Sequence, residues 1–144
     1  MTLINYYGRF FESMANKEVD FNSDVIKALL TSSSYTFDQN NHKYKDVSIT
    51  NELASGGGYT TGGIVVPTPS FSYDTSAKQL RFTGGNISWG SASFTARRCI
   101  VYDDTPASNK PLILCIDFEQ NISPVNGTLA INWDALGMAY IQVA

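Results

Sequence analysis

Apolar positions near the start of the chain recur at helical spacing. Ile4, Tyr7, Phe11 and Met14 share one face, and Tyr6 and Phe10 widen it. This predicts a helix over residues 3–15 that stops at Asn16. Further along, the period shortens and turn residues punctuate the chain. "SDVIKALLTSS" (23–33) predicts a strand rich in Val, Ile and Leu. "YTFDQNNHKYKDVS" (35–48) is polar and turn-rich, with a helical turn near Lys43–Val47. "GGGYTTGGIVVPTPSFSYD" (56–74) predicts two strands broken at Pro67 and Pro69, residues suited to edges and strand ends. Residues 78–104 hold three short runs separated by Gly84-Gly85 and Gly90. "PLILCIDFE" (111–119) is another strand. Residues 127–143 give two more, broken at 135–137 and preceded by the tight-turn pair Asn126-Gly127.

Roughly eight to ten short strands with regular turn signals predict an all-β fold, an antiparallel β-sandwich or barrel. Strands do not alternate with helices, which argues against a parallel α/β sheet. No internal repeat or low-complexity linker divides the chain. The expected organisation is an N-terminal helix or arm over 1–16 and one β-sandwich domain over 17–144.

"SFTARRCIVYDD" (93–104) raises the chemical question, because Arg97, Arg98 and Cys99 stand together in a strand. Pairing it with "PLILCIDF" across a symmetric loop sets Tyr102 opposite Leu112, Ile100 opposite Leu114, Arg98 opposite Ile116 and Ala96 opposite Phe118. On the other face it sets Val101 opposite Ile113, Cys99 opposite Cys115 and Arg97 opposite Asp117. Arg97 and Asp117 then form a cross-strand ion pair of roughly 0.2–1 kcal/mol. Arg98 falls on the apolar face, either reaching water along its aliphatic stem or held in a specific ion pair. Cys99 and Cys115 become neighbours, as a disulfide or as two reduced thiols; assembly in a cytoplasm favours the thiols. In a regular strand the two arginines point to opposite faces and do not act as one clamp.

The chain of 144 residues is 43% hydrophobic and only 16% charged, against about 25% charged for a typical domain. A low charge content suggests that part of the surface is covered by partners. Net charge is −3 and the basic residues are scattered, so no stripe for nucleic acid is expected. No apolar run of about 18 residues predicts a membrane span. The N-terminal residues lack the pattern of a secretory signal, so Asn86, Asn121 and Asn126, each in an N-x-S/T triplet, are not expected to carry sugar.

Candidate chemistry is sparse. "GGGYTTGG" (56–63) lacks the Lys-Ser/Thr of a phosphate-binding loop and reads as a turn with a bulge. His42, the only histidine, stands near Asp38 and Asp46, but at no standard metal-binding spacing. Asp103-Asp104 begins a turn, where aspartate bonds the backbone. A Cys99 nucleophile would need a base. Trp89 and Trp133 are either core residues or a platform for sugar. The expectation is a protein that is not an enzyme and carries no cofactor and no metal.

Several stretches follow a recognisable order: "VDFNSDVIKALLTSSSYTFDQNNHKYKDV", "GGYTTGG", "ISWGSASFTARRCIVYDDT", "PLILCIDF" and "NWDALGMAY". In order and spacing, residues 16–140 resemble capsid cement (decoration) proteins of tailed phages. Ala96, Arg97, Ile100, Val101, Tyr102, Asp104 and Thr105 match the family's strand pattern. Arg98 stands where an aromatic is usual, and Cys99 where a small residue is usual. The resemblance implies a jelly-roll-like β-sandwich on the outer capsid surface of a virion, assembled in the host cytoplasm. It implies the major capsid protein as partner and a dimer or trimer of the chain at two-fold or three-fold positions. Tyr6, Tyr7, Phe10, Phe11 and Arg98 are the expected partner contacts. A tail or head-completion protein and a carbohydrate-binding virion module are the alternatives.

Overall fold

The computed structural model describes residues 2–143. Its strands are β1 (Leu3–Tyr6), β2 (Ile26–Thr31), β3 (Ile64–Val65), β4 (Ser70–Asp74), β5 (Gln79–Thr83), β6 (Ile87–Ala92), β7 (Ala96–Asp103), β8 (Leu112–Ile122), β9 (Gly127–Ile131) and β10 (Ala139–Gln142). Two short helices, α1 (Phe10–Ala15) and α2 (Lys45–Ser48), interrupt them. The strands form a five-stranded sheet in the order β1-β8-β7-β2-β3, a three-stranded sheet β10-β5-β4 and a pair β6-β9, antiparallel at every pairing. The fold is all-β and sandwich-like. A jelly roll's two four-stranded sheets are not seen among the described residues.

The large sheet is the centre of the molecule because its inner strands are apolar on both faces. Leu112, Ile113, Leu114, Cys115 and Ile116 are all buried, as are Cys99, Ile100, Val101 and Tyr102 opposite them. One face is covered by the segment after β2, where Phe37 meets Tyr7 edge-on and Tyr35 bonds it. Phe82 of β5 belongs to the same continuous core and reaches α1 through rings, with Phe21 between it and Phe10.

The N-terminal segment departs from the predicted helix. Residues 3–6 are a strand paired with β8, from Leu3 opposite Asp117 to Tyr6 opposite Leu114. Only Phe10–Ala15 is helical. β8 needs a partner on its outer side, and this pairing overrides the local helical period. Tyr7 and Phe10 are fully buried, so the expected boundary at residue 16 does not separate an arm from the core.

The β7–β8 register also differs from the symmetric one. Tyr102 does face Leu112, but then the pairing slips by one residue: Val101 faces Leu114, Ile100 faces Cys115, Cys99 faces Ile116 and Arg98 faces Asp117. A second irregularity follows, since Ala96 pairs with Ile122 and Glu119 has φ +59°. Because both faces are covered, apolar alternation carries no signal that could fix the register. The slip puts Cys99 and Cys115 on opposite faces of the sheet. They are two free, buried thiols rather than the expected cross-strand neighbours.

Candidate docking groove

The irregularity in β8 brings the two arginines to one carboxylate. Arg97 Nε donates to Asp117 Oδ1 at 2.7 Å, and Arg98 Nε lies 3.1 Å from Asp117 Oδ2. The second contact is an ion pair without a well-aimed N–H bond, since Arg98 Nε is enclosed and donates to nothing. Arg98 Nη1 instead donates to the Tyr35 carbonyl at 2.7 Å. Burial works against charge on Asp117, but the Arg97 bond, the Glu119 N–H and the Arg98 charge outweigh it and hold the carboxyl below its usual range. The expectation that the arginines cannot share one partner is thus corrected, because it assumed a regular strand. Arg98 ties the segment after β2 to the sheet and, at 16% side-chain exposure, is not a free contact.

The other singled-out residues are also structural. Burial pushes Cys115 up to about 12 and raises Cys99 as well, so neither thiol is ionised near neutral pH. His42 Nδ1 lies 2.9 Å from the Tyr35 hydroxyl, which in turn lies 2.8 Å from that of Tyr7. Asp38 accepts from the Asn40 and Asn41 N–H groups, and Asp46 from those of Asn109 and Lys110, so the three candidate ligands turn to separate partners. Among the described residues, no three His, Cys, Asp or Glu side chains are placed to hold a metal. "GGGYTTGG" folds onto β2: Tyr59 Oη accepts from the Leu30 N–H and donates to Glu52. At Gly63, with φ +82°, a Cβ would run into the Ala28 carbonyl. Trp89 is buried in the core and offers no face to a sugar. Trp133 is half-buried, its Nε1 donating to the Gly85 carbonyl at 2.8 Å.

Of the four aromatic residues expected to contact a partner, Tyr7 and Phe10 are core residues and are ruled out by burial. Tyr6 and Phe11 remain near the surface, their rings 5.3 Å apart. Tyr6 leads to the feature that stands out as a surface. β1 is an edge of the five-stranded sheet, and β10 is an edge of the three-stranded sheet. Both open onto one groove of about 460 Å³, walled by Ile4 and Tyr6 on one side and by Leu136, Met138 and Tyr140 on the other. Ile4 is 45% exposed, Leu136 47% and Tyr140 50%. A second hollow of about 470 Å³ adjoins it, sharing Ile4, Asp134, Gly137 and Met138 and running on over Ile116, Phe118 and Trp133.

Main-chain bonding at this edge is incomplete. Tyr7 N–H donates to the Ile113 carbonyl, so Tyr7, Asn5 and Leu3 turn their main chain toward β8. Ile4 and Tyr6 turn theirs outward. Gln39 Nε2 covers the Tyr6 carbonyl at 3.0 Å. On β10, Val143 N–H donates to the Lys78 carbonyl, and the same alternation turns the Tyr140 main chain outward. The Tyr6 hydroxyl is enclosed beside the groove with no hydrogen-bond partner. The same burial pushes its pKa up to about 12.

Comparison with family models, curated proteins and solved structures finds no match. Of the groove's residues only Tyr6 was an expected partner contact, because Ile4 reads as part of a helical face and "NWDALGMAY" as an ordinary strand pair. Its one local signal is Leu136 beside Gly137, an apolar residue at a turn where polar ones are usual.

Proposed function

We propose that the chain is a non-enzymatic capsid cement (decoration) protein of a tailed phage, binding the outer shell surface and bridging neighbouring major capsid protein subunits. The observation that supports this reading best is the uncovered β1–β10 edge. Ile4, Leu136 and Tyr140 expose apolar surface around one groove, and such patches mark sites of protein contact. The sequence resemblance over residues 16–140 supplies the virion context. A modest contact suffices in this setting, because a chain that joins two subunits, or self-associates as a dimer or trimer, gains by avidity. The ties of Arg97 and Arg98 to Asp117, and of Arg98 to the Tyr35 carbonyl, fit a rigid spacer.

The test is loading. Shells of the encoding phage assembled without this chain are mixed with wild type or with Tyr140→Glu, then sedimented. Wild type is expected to co-sediment at stoichiometric, saturable occupancy. Tyr140→Glu, which places a charge in the groove wall at an exposed position, is expected to lose at least about tenfold in affinity, or about 1.4 kcal/mol. Failure of the wild type to sediment with shells overturns the reading.

A further inference from the structure

We propose that the β1–β10 groove takes an extended, apolar segment of a partner chain, which adds as a strand along β1 with a basic residue beside Asp134. The proposal deepens the shell-binding reading of the same groove, and the identity of the partner as a capsid subunit rests on that reading. The form of the occupant follows from the groove itself. Its β1 side offers the outward N–H and C=O of Ile4 and the outward N–H of Tyr6. These are main-chain groups that only another main chain satisfies at regular spacing.

Nothing in β1 protects this edge. "LINY" contains no proline and no charge, the usual guards of a free strand. The opposite edge of the large sheet is different: β3 has only two residues and runs into Pro67. Gln39 covers only the Tyr6 carbonyl, so it limits how far an added strand can run and favours pairing centred on Ile4.

The side-chain chemistry is set by the walls. Ile4, Leu136, Met138 and Tyr140 are apolar or amphipathic, and among the described residues Asp134 is the one charged residue lining either hollow. Asp134 Oδ1 accepts from the Leu136 N–H within its own turn, and among the described residues no cationic side chain lines the groove beside it. An occupant with alternating apolar residues and one Lys or Arg at the Asp134 end complements this arrangement. A helix would bring no free main-chain groups to Ile4 and is disfavoured on that ground.

The probe is a random-peptide library panned against the full chain, with binders ranked on wild type and on Ile4→Pro. Proline at position 4 removes an outward N–H and no bond to β8, so the fold is retained. Circular dichroism and the melting curve confirm this, and Tyr140→Glu serves as the second variant. The expected binders carry apolar residues at every second position and a Lys or Arg at one end. Their affinity is expected to fall about tenfold or more on Ile4→Pro and on Tyr140→Glu, and their binding to protect the Ile4 amide from hydrogen exchange. Binders with helical spacing, binders indifferent to both variants, or no binders at all overturn the proposal. Concentration-dependent dimerisation that disappears in Ile4→Pro also overturns it, since a second copy would then be the occupant. Loading on shells separates the two readings. If Ile4→Pro and Tyr140→Glu both load like wild type, strand addition fails while shell binding stands. If wild type does not load but the library result holds, shell binding fails and strand addition stands.

Discussion

Asp117 holds two guanidinium groups, and each depends on it differently. Arg97 is part-exposed and can turn to water. Arg98 is mostly enclosed, with Nε aimed at nothing else. Replacing Asp117 with Asn should therefore destabilise the fold chiefly through Arg98, by about 1–3 kcal/mol in urea denaturation. Replacing Arg97 with Lys should cost less than 1 kcal/mol or so, the range of a part-exposed pair. A second residue sets the pH response. Asp103 is fully buried; its Oδ1 accepts from the Thr105 N–H and its Oδ2 has no donor. Burial first, and then the facing Asp24 carboxyl, push Asp103 up to about 7. The nearby lysines, Lys27 and Lys110, are both committed to Asp104 and do not offset this. The unfolded chain releases this proton near pH 4, so between about pH 4 and pH 7 it binds fewer protons than the folded chain. Stability should fall across that window and level off above it. Asp103→Asn should flatten the fall in melts taken across the same range; an unchanged slope would place its origin elsewhere. Both cysteines are equally testable. A thiol reagent such as dithiobis-nitrobenzoate should label neither Cys99 nor Cys115 in the folded chain, and both in denaturant, because burial keeps them protonated and out of reach.

At the scale of elements, the contrast between β1 and the loop before β3 shows where pattern carries information. Turn chemistry was legible: "GGGYTTGG" predicted a turn, and positive φ at Gly57, Gly58, Gly62 and Gly63 is what that segment needs; the expected strand bulge is not seen among the described residues, since β3 begins only at Ile64. Gly63→Ala should be among the most damaging single changes, by about 3 kcal/mol or more, since the new methyl meets the Ala28 backbone rather than a side chain that could move. Strand positions from 26 onward were also legible, because apolar and β-branched runs bounded by Gly, Pro and Asn leave few alternatives. β1 was not. Ile4, Tyr7 and Phe11 fit a helical face, yet Leu3, Asn5 and Tyr7 lie on one side of a strand while Ile4 and Tyr6 lie on the other. Only the demand of β8 for a partner decides between them, and that demand is non-local. The β7–β8 register failed for a related reason: with both faces buried, Ile100 can face Leu114 or Cys115 at almost the same burial. Arg97 near Asp117 was legible as chemistry, but its geometry came from an irregular β8 that no residue type announces.

For the molecule as a whole, the distribution of charge and apolar surface bears on function more than any single side chain. Several charged side chains are paired within the chain: Lys43 with Glu12 and Glu18, Arg81 with Asp74, Lys27 and Lys110 with Asp104. Exposed apolar residues, in contrast, include Ile4, Leu136 and Tyr140 around one groove between two free sheet edges. A rigid β body with an unguarded edge is suited to being held in place by another protein. The N-terminal segment is an edge strand followed by a short helix rather than the single helix expected over residues 3–15. Deleting residues 1–12 would remove β1, Tyr7 and Phe10 and test folding instead of binding, so surface variants at Ile4 and Tyr140 are the informative ones. The most direct measurement of the proposed shell-binding role is a reconstruction of the proposed phage's virion with this chain bearing a small C-terminal label. The proposed role predicts label density at repeated positions on the outer shell, between neighbouring major capsid protein subunits. Density confined to the tail or the head–tail junction, or no density on the particle, would contradict it.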